Sequence, residues 1–590
     1  MIVPMQKLHI VARNRDRDRL LESLRELGLL HLTPVDPNRA VPDEETTRRL
    51  QAVERAAQVL TGVAPKGTPP QLTADEAAHE VLEIQRRAAE GRNRLAALFH
   101  QLEEIAVWGN VALDDFEQLR RAGVEVRFYA VPARQVESIQ AECVEVVADL
   151  PGRDVFVAVA GRSDDFKLPE EASEVPLPPR DAPSIRAEAA QIDAGLHRDV
   201  ERLHELAGLA PQIRTELVRL QEQSDYAVAQ RGALADEHLF ALQGWLPQEA
   251  GATLGEQLAS RGIAAGIEVL SPDAEEQPPT LVRPPAWARP IEGLFKMLGT
   301  VPGYREFDVS IPFLIALPIF TAILISDAGY GALLLVALAA GYPWVSKSLG
   351  APFTQLLMVV GAVSIVWGVL VSAFFGFTLY PPLITVDLSA ASRDFMMRLS
   401  FTIGAVHLSV AQIWQAVRIF PDLRFLNKIG WTLFIWGMYG VVGMFVLKGP
   451  MDWTTPWPYA LILGATLAIL FAAPSRNLLK MIGMGVAQFP LSMLSAFSDV
   501  ISYVRLMAVG LASGVLAVSF NDMALTVDSW LLAAVILVFG HSLNMGLAMI
   551  AMFAHGVRLN MLEFSNNLGM QWSGYPYRPF TQRMIQEQTQ

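Results

Sequence analysis

Ser498-Asp499-Val500-Ile501-Ser502-Tyr503-Val504-Arg505-Leu506-Met507-Ala508 sets an aspartate and an arginine inside an apolar run that extends over roughly 486–519. A helix of about 34 residues at about 1.5 Å each is some 50 Å long, against a hydrocarbon core of about 30 Å. Such a helix is strongly tilted or projects beyond a bilayer. The next apolar run, 529–563, is as long and holds a second arginine in His555-Gly556-Val557-Arg558-Leu559. An arginine at the bilayer centre costs roughly 2.5–3.5 kcal/mol even on a lenient insertion scale, and it cannot shed its proton. Two of them imply a compensating partner or water. An internal pair of Arg505 with Asp499 is the plainest candidate. Six positions are about 240° of helix rotation, however, so these two do not face each other.

The same apolar character begins near residue 311. The chain has 590 residues, 52% hydrophobic and 18% charged, and these averages conceal a division near residue 290. Beyond it the runs read as eight helices, at 311–326, 328–345, 353–377, 400–419, 428–448, 458–473, 486–519 and 529–563. With a cytoplasmic N-terminus, the inner loops hold Lys347, Arg418, Arg424, Lys428, Arg476 and Lys480, and the tail holds Arg578 and Arg583. The outer loops hold Asp387, Asp394, Asp452, Asp522 and Asp528 against Arg393, Arg398 and Lys448. That bias follows the positive-inside rule and predicts a multi-pass protein of the cell membrane with both termini cytoplasmic. Met1–Lys7 carries no basic segment followed by an apolar core, so no signal peptide is expected.

The first 290 residues read differently. A strand at 7–12 precedes an amphipathic helix with Leu20, Leu24 and Leu27 on one face and Gly28 as its stop. Spacings of three and four then mark helical arms. The first carries Leu50, Val53, Ala57 and Leu60; the second carries Val81, Ile84, Ala88, Leu95, Leu98, Leu102 and Ile105; a third runs from Ile185 to Leu220, with a kink expected at Pro211. Strands at 124–130, 154–160, 238–246 and 263–270 complete two α/β lobes. The expected fold is therefore mixed: an elongated α/β dumb-bell with coiled-coil arms over 1–290, a linker at 291–310, an all-α polytopic domain over 311–565 and a cytoplasmic tail at 566–590.

Composition excludes several functions. The net charge of −13 argues against nucleic acid and against lying flat on anionic lipid, and suits a basic protein partner. Cys143 is the single cysteine, so no internal disulfide forms. No Gly-x-x-x-x-Gly-Lys-[Ser/Thr] loop occurs, so the chain is not expected to hydrolyse ATP itself, and neither a cofactor nor a metal is expected.

Two stripes carry the chemistry. Ser495, Ser498, Ser502, Arg505, Ala512 and Ser513 share one side of the seventh helix; His541, Asn544, Ala548, Met552, His555 and Arg558 share one side of the eighth. Small residues admit another helix and polar ones order water, whereas ordinary small-residue packing leaves the charges unexplained. His407 reads as a packed or interfacial histidine. A secondary ion transporter with a soluble regulatory domain would call for inverted repeats or Pro/Gly-broken half-helices in matching halves, and neither is seen. A membrane-anchored scaffold gives the two arginines no purpose.

The Ser502-Tyr503-x-Arg505-Leu506-x-Ala508 core and His555-x-x-Arg558-Leu559-x-x-x-Glu563-Phe564 resemble the last two helix signatures of the stator membrane subunit family (subunit a, or I) of rotary V/A-type ATPases. Asp327-Ala328-Gly329-Tyr330-Gly331, Gly244-Trp245-Leu246-Pro247 and Pro284-x-x-Trp287-Ala288-Arg289-Pro290 are similar to further landmarks of that family, in the same order. The resemblance implies that Arg505 is the essential stator arginine and Arg558 its neighbour, both facing a rotor ring of c subunits. It implies a non-catalytic subunit of an ion-translocating complex, coupling proton or sodium flow to rotation and to ATP synthesis or hydrolysis. Its implied partners are the c-ring, peripheral-stalk subunits, the central-stalk cap and the lipid bilayer. Half-channel candidates are His541 and Asn544 towards the outside and Asp499 and Glu563 towards the cytoplasm, with His555 and Ser513 beside them. Two departures bear on the channel lining. Ser513 stands where eukaryotic members commonly have a histidine, and Ala548 where they have a glutamate.

Overall fold

A computed structural model describes residues 1–150, 154–162, 166–474 and 477–582. Arg476 and Arg583, counted above in the loop-charge bias, lie outside the described residues. The first sheet runs in the order His31–Thr33, Leu239–Pro247, Met5–Arg13, Ala265–Leu270, with Leu234–Ala235 added beside Leu239–Pro247. All its pairings are antiparallel. Alternation sends Leu8, Ile10, Leu242 and Leu246 to one face, where Leu20 and Leu24 of the helix Arg17–Leu27 and Leu254 and Leu258 of Gln248–Ser260 cover them. Gly28 ends the first helix at φ 60°, a conformation that favours glycine.

The second sheet, Cys143–Asp149, Asp154–Gly161, Glu125–Pro132, Ser173–Glu174, buries Val131, Val155, Val157 and Val159 on one side. On the other, Phe128 and Phe156 stack and Trp108 meets both rings edge-on. Between the sheets run the helices Glu44–Leu60, Ala74–Glu104, Ala182–Leu206 and Ala210–Arg231. Asp43 caps the first by accepting from the Thr46 backbone N–H, a bond that holds its carboxyl below the usual carboxylate range. A reciprocal capping box of Thr73 and Glu76 starts the second. Val53, Ala56, Leu60, Val81, Ile84, Leu206, Ile213 and Leu220 close the seam. Ion pairs of Arg87 with Asp199 and of Arg202 with Glu80, both at 2.7 Å, link Ala74–Glu104 to Ala182–Leu206. Pro211 does not kink a continuous arm. A 3₁₀ turn at Ala207–Leu209 ends one helix, and proline enters the first turn of the next, where its missing N–H costs nothing.

In the apolar half, helices Ala351–Val371 and Phe425–Leu447, the 47-residue stretch Leu479–Leu525 and the 39-residue stretch Trp530–Leu568 are long and apolar enough to cross a membrane. Ala328–Ala340 and Tyr342–Leu349, read as one helix from the sequence, bend by 89° and are long and apolar enough only when taken together, as a broken span or a re-entrant loop. Ser310–Ile325 and Trp457–Leu470 are shorter, and the segment read as 400–419 is a longer helix, Ala390–Ile419. The helix read as 353–377 stops at Val371, because Ser372 and Phe375 take positive φ and a two-stranded turn, Ala373–Phe374 with Phe377–Thr378, replaces its last turns.

Two segments are more structured than the sequence suggests. The expected linker begins as a helix, Pro290–Leu298, whose Gly293 lies so close to the Phe353 backbone that a Cβ there would meet the Phe353 nitrogen at 2.4 Å. The tail returns to the first lobe. Thr280 accepts from Tyr577 N–H and donates its own N–H to the Tyr575 carbonyl, Phe580 N–H reaches the Leu30 carbonyl, and Phe580 joins the core of that lobe. His31 sits against the rings of Tyr575 and Tyr577, and burial holds its imidazole below its ordinary pKa.

Candidate functional site

The stretch Leu479–Leu525 is interrupted at Tyr503, a fully buried residue where one α-helix, Leu478–Ser502, passes to the next, Val504–Leu525. Gly404 makes room for the Tyr503 ring, and the hydroxyl meets His407 Nδ1 at 2.7 Å. His407 is buried and stacked on Phe564 at 4.4 Å, which is a packing role. Arg505 begins the second helix, two residues past the break. Its Nη2 donates to Ser502 Oγ at 2.9 Å and to Glu563 Oε1 at 3.3 Å.

The last stretch is not a plain α-helix. Trp530–Ala551 is α-helical, but Met552–Val557 and Leu559–Phe564 are wound as π-helix. π-Turns bond residue i to i+5 and are found mostly at functional sites. In an α-helix, Arg558 and Glu563 would point about 140° apart. Here Arg558 Nε lies 3.7 Å from Glu563 Oε1, the oxygen that Arg505 also reaches. The internal compensation looked for in Asp499 is supplied by Glu563 instead. Its side chain is 5% exposed, against 24% for Arg505 and 52% for Arg558, so the carboxylate lies behind and the guanidiniums in front.

Asp499 is brought to the same region by a different link. Asn567 donates from Nδ2 to Asp499 Oδ2 and to the Glu563 carbonyl, both at 2.8 Å, and accepts from Gln412 Nε2 at 2.9 Å. Half-buried His555 lies on the π-wound segment and makes no protein hydrogen bond through Nδ1.

A second polar cluster lies towards the turn between the last two helices. Asn544 donates from Nδ2 to the Tyr330 hydroxyl at 3.1 Å and to the Ser513 carbonyl at 2.9 Å. Because Tyr330 accepts there, its own hydrogen goes to His541 Nδ1 at 2.6 Å. His541 then carries its hydrogen on Nε2 and donates to Asn521 Oδ1 at 3.1 Å, and Asn521 Nδ2 donates to the Phe375 carbonyl at 2.7 Å. Ser513 Oγ closes the set on the Ile325 carbonyl at 3.1 Å. Asp327 fixes the frame, accepting backbone N–H bonds from Tyr330, Phe375 and Gly376 at 3.1, 2.9 and 2.9 Å.

Ser513, His541 and Asn544 thus meet in one network, while Arg505, Arg558 and Glu563 meet in another that Asn567 joins to Asp499. Sequence reading missed Gln412, Asn521 and Asn567, and took Tyr330 only as a landmark. Each is a polar residue in or beside an apolar run, which is the signal that finds them. Outside these clusters the last two helices expose Leu491, Leu494, Val535, Val538, Leu543, Leu547, Ile550 and Leu562.

The chain is similar along its whole length to curated proteins of one description. It is 25% identical over 615 residues to the V-type ATP synthase subunit I of Borreliella burgdorferi, covering 98% of this chain and 99% of that one. It is 28% identical over 632 residues to the V-type ATP synthase subunit I 1 of Treponema pallidum, covering 99% and 100%. An archaeal relative, the A-type ATP synthase subunit I of Archaeoglobus fulgidus, is 25% identical over 417 residues, 60% of each chain. No protein-family profile matches the chain.

Proposed function

We infer, from homologues that are V-type and A-type ATP synthase subunit I, that this chain is the membrane stator subunit of a rotary ATPase and carries ions past its rotor ring. The observation that carries this reading is the pair of permanently charged guanidiniums presented at the edge of an apolar helix face and backed by a single carboxylate. A rotor carboxylate is neutral while it faces lipid. Beside a fixed cation its pKa falls by about one to three, so it gives up its ion there. Each such step is worth about 1.36 kcal/mol, comparable with the roughly 2.3 kcal/mol that a unit charge gains across 100 mV.

Two separate polar clusters suit two offset half-channels. Ser513 lies eight residues beyond Arg505, about 12 Å along the helix. The Tyr330–His541–Asn521–Asn544–Ser513 network would serve the outer path, and Asp499, Glu563 and Asn567 the cytoplasmic one. Ion flow from one to the other then requires the ring to turn. The first lobe and its arms would hold the peripheral stalks and meet the central-stalk cap. The tail residues docked on that lobe support placing both ends of the chain on one side of the membrane.

Purification of the tagged chain under mild detergent tests the reading. We expect a multi-subunit ATPase to accompany it, including a small proteolipid identified by mass; recovery of the chain alone would overturn it. Topology is tested at Cys143, which is exposed on its strand. A membrane-impermeant thiol reagent should label it in lysed cells and leave it unlabelled in sealed right-side-out cells, whereas a cysteine placed within 521–528 should label from outside. Labelling of Cys143 in sealed cells would reverse the proposed orientation.

A further inference from the structure

We propose that Glu563 is a positioning residue that sets the charge of the arginine pair, reducing it from two units to one. This rests on the stator reading above and goes beyond it, because Glu563 enters there only as a channel-lining candidate.

Three features carry the assignment. One oxygen, Oε1, serves both guanidiniums, at 3.3 Å to Arg505 and 3.7 Å to Arg558. The carboxylate is nearly fully buried behind two partly exposed cations, so a ligand approaching from the helix face meets the arginines first. The contact to Arg558 depends on the π-wound segment, which brings residues five apart onto one side. Such winding is rare, and here it delivers the carboxylate to a pair of charges that the helix would otherwise leave uncompensated.

The other titratable groups around Glu563 do not substitute for it. From the preceding helix pair come Tyr503, bound to His407, and Asp499, held by Asn567. His407 comes from Ala390–Ile419, and His555 precedes Arg558 on the same stretch. The packed helix Ser310–Ile325 contains no titratable residue.

With Glu563 in place, a rotor carboxylate faces a net single positive charge, enough to ionise it and low enough to let it take up an ion again. Without Glu563 it faces two cations, stays ionised, and needs a more acidic medium to reprotonate and move on. The charge count, and not the carboxylate's shape, is then the controlling quantity.

The test uses the assembled complex in vesicles, following ATP-driven dye quenching against pH for Glu563→Gln, Glu563→Asp, Arg558→Gln and the double variant Glu563→Gln/Arg558→Gln, with Arg505→Ala as reference. Glu563→Gln should move the pumping profile about one pH unit towards acid, a loss of about tenfold at the wild-type optimum. Glu563→Asp, which keeps the charge, should shift the profile far less than Glu563→Gln does. The double variant, again with one net charge, should recover the profile that Glu563→Gln lost; where Glu563→Gln fails to assemble, the double variant should restore assembly. A wild-type profile in Glu563→Gln, or a double variant no better than Glu563→Gln, would overturn the proposal. The outcomes also separate this inference from the reading beneath it. Pumping by Arg505→Ala at the wild-type rate sinks the stator mechanism, whereas a silent Arg505→Ala beside an unchanged Glu563→Gln sinks only the role of Glu563.

Discussion

Replacing Arg505 by alanine should leave an assembled complex that hydrolyses ATP and pumps no ions. Assembly is expected to survive because Glu563 keeps a cation when Arg505 is gone: Arg558 remains 3.7 Å from the same oxygen, so no buried charge is orphaned. Transport fails for a separate reason. A neighbouring cation lowers a carboxyl pKa by about one to three, a factor of roughly ten to a thousand in the ionised fraction, and without it nothing forces the rotor carboxylate to release its ion. Arg505→Lys should fail largely as well. Arginine holds Ser502 Oγ and Glu563 Oε1 through one nitrogen and keeps its remaining donors for an incoming carboxylate. Lysine offers a single point of charge and loses its proton when desolvated. Arg558→Ala should retain measurable pumping with its pH profile moved towards alkaline, since Glu563 then offsets the one remaining cation while Arg505 still meets the rotor carboxylate and gates exchange. Quenching of a pH-sensitive dye, with sodium uptake in parallel, reads all three variants. A fully assembled Arg505→Ala complex that pumps near the wild-type rate ends the mechanism.

Asp327→Ala should cause the largest structural loss in the apolar half. The carboxylate is 3% exposed and accepts three backbone N–H bonds, one capping the helix Ala328–Ala340 and two holding Phe375 and Gly376. Phe375 sits at φ 50°, a strained conformation for a bulky residue that costs about 1–3 kcal/mol and persists only while its surroundings enforce it. Losing the cap costs about 1 kcal/mol. Each of the other two buried N–H groups left without a partner costs roughly 1–3 kcal/mol, so the sum reaches about 3–7 kcal/mol against typical stabilities of about 5–15 kcal/mol. The turn at 373–378 also receives the Asn521 side chain through the Phe375 carbonyl, so its collapse would take the His541 network with it. We expect Asp327→Ala to reduce recovery of the assembled complex severely. Asp327→Asn, which keeps one acceptor oxygen, should fall between alanine and wild type. Wild-type yield and thermal midpoint for Asp327→Ala would remove Asp327 from this role.

The two effects draw on different parts of the molecule that the sequence reveals unequally. The apolar runs and both arginines could be read directly, because hydrophobic period and the cost of an unneutralised guanidinium are properties of a residue and its near neighbours. The strands at 5–13, 125–132 and 239–247 were legible for the same reason: alternation repeats every two residues. Even the stop at Gly28 is local.

What the sequence could not determine is how these pieces are turned against one another. An α-helical reading puts Arg558 and Glu563 on different sides, and only the π-wound segments bring them together. The break at Tyr503 sets the start of the helix that presents Arg505, and it depends on Gly404 of a distant helix making room for a ring. Tyr330 and His541 are 211 positions apart, and their hydrogen bond exists because Asp327 fixes one end of the network and Asn521 the other. The tail beyond residue 570 looks like a free end until Phe580 enters the core of the first lobe. Sequence alone therefore decided where the apolar runs and most of the main helices and strands lie and which charges need company, since those follow from local periodicity and desolvation. Which partner each charge found was decided by tertiary packing, because the rotation, bend and winding of a helix are settled by its contacts with distant residues.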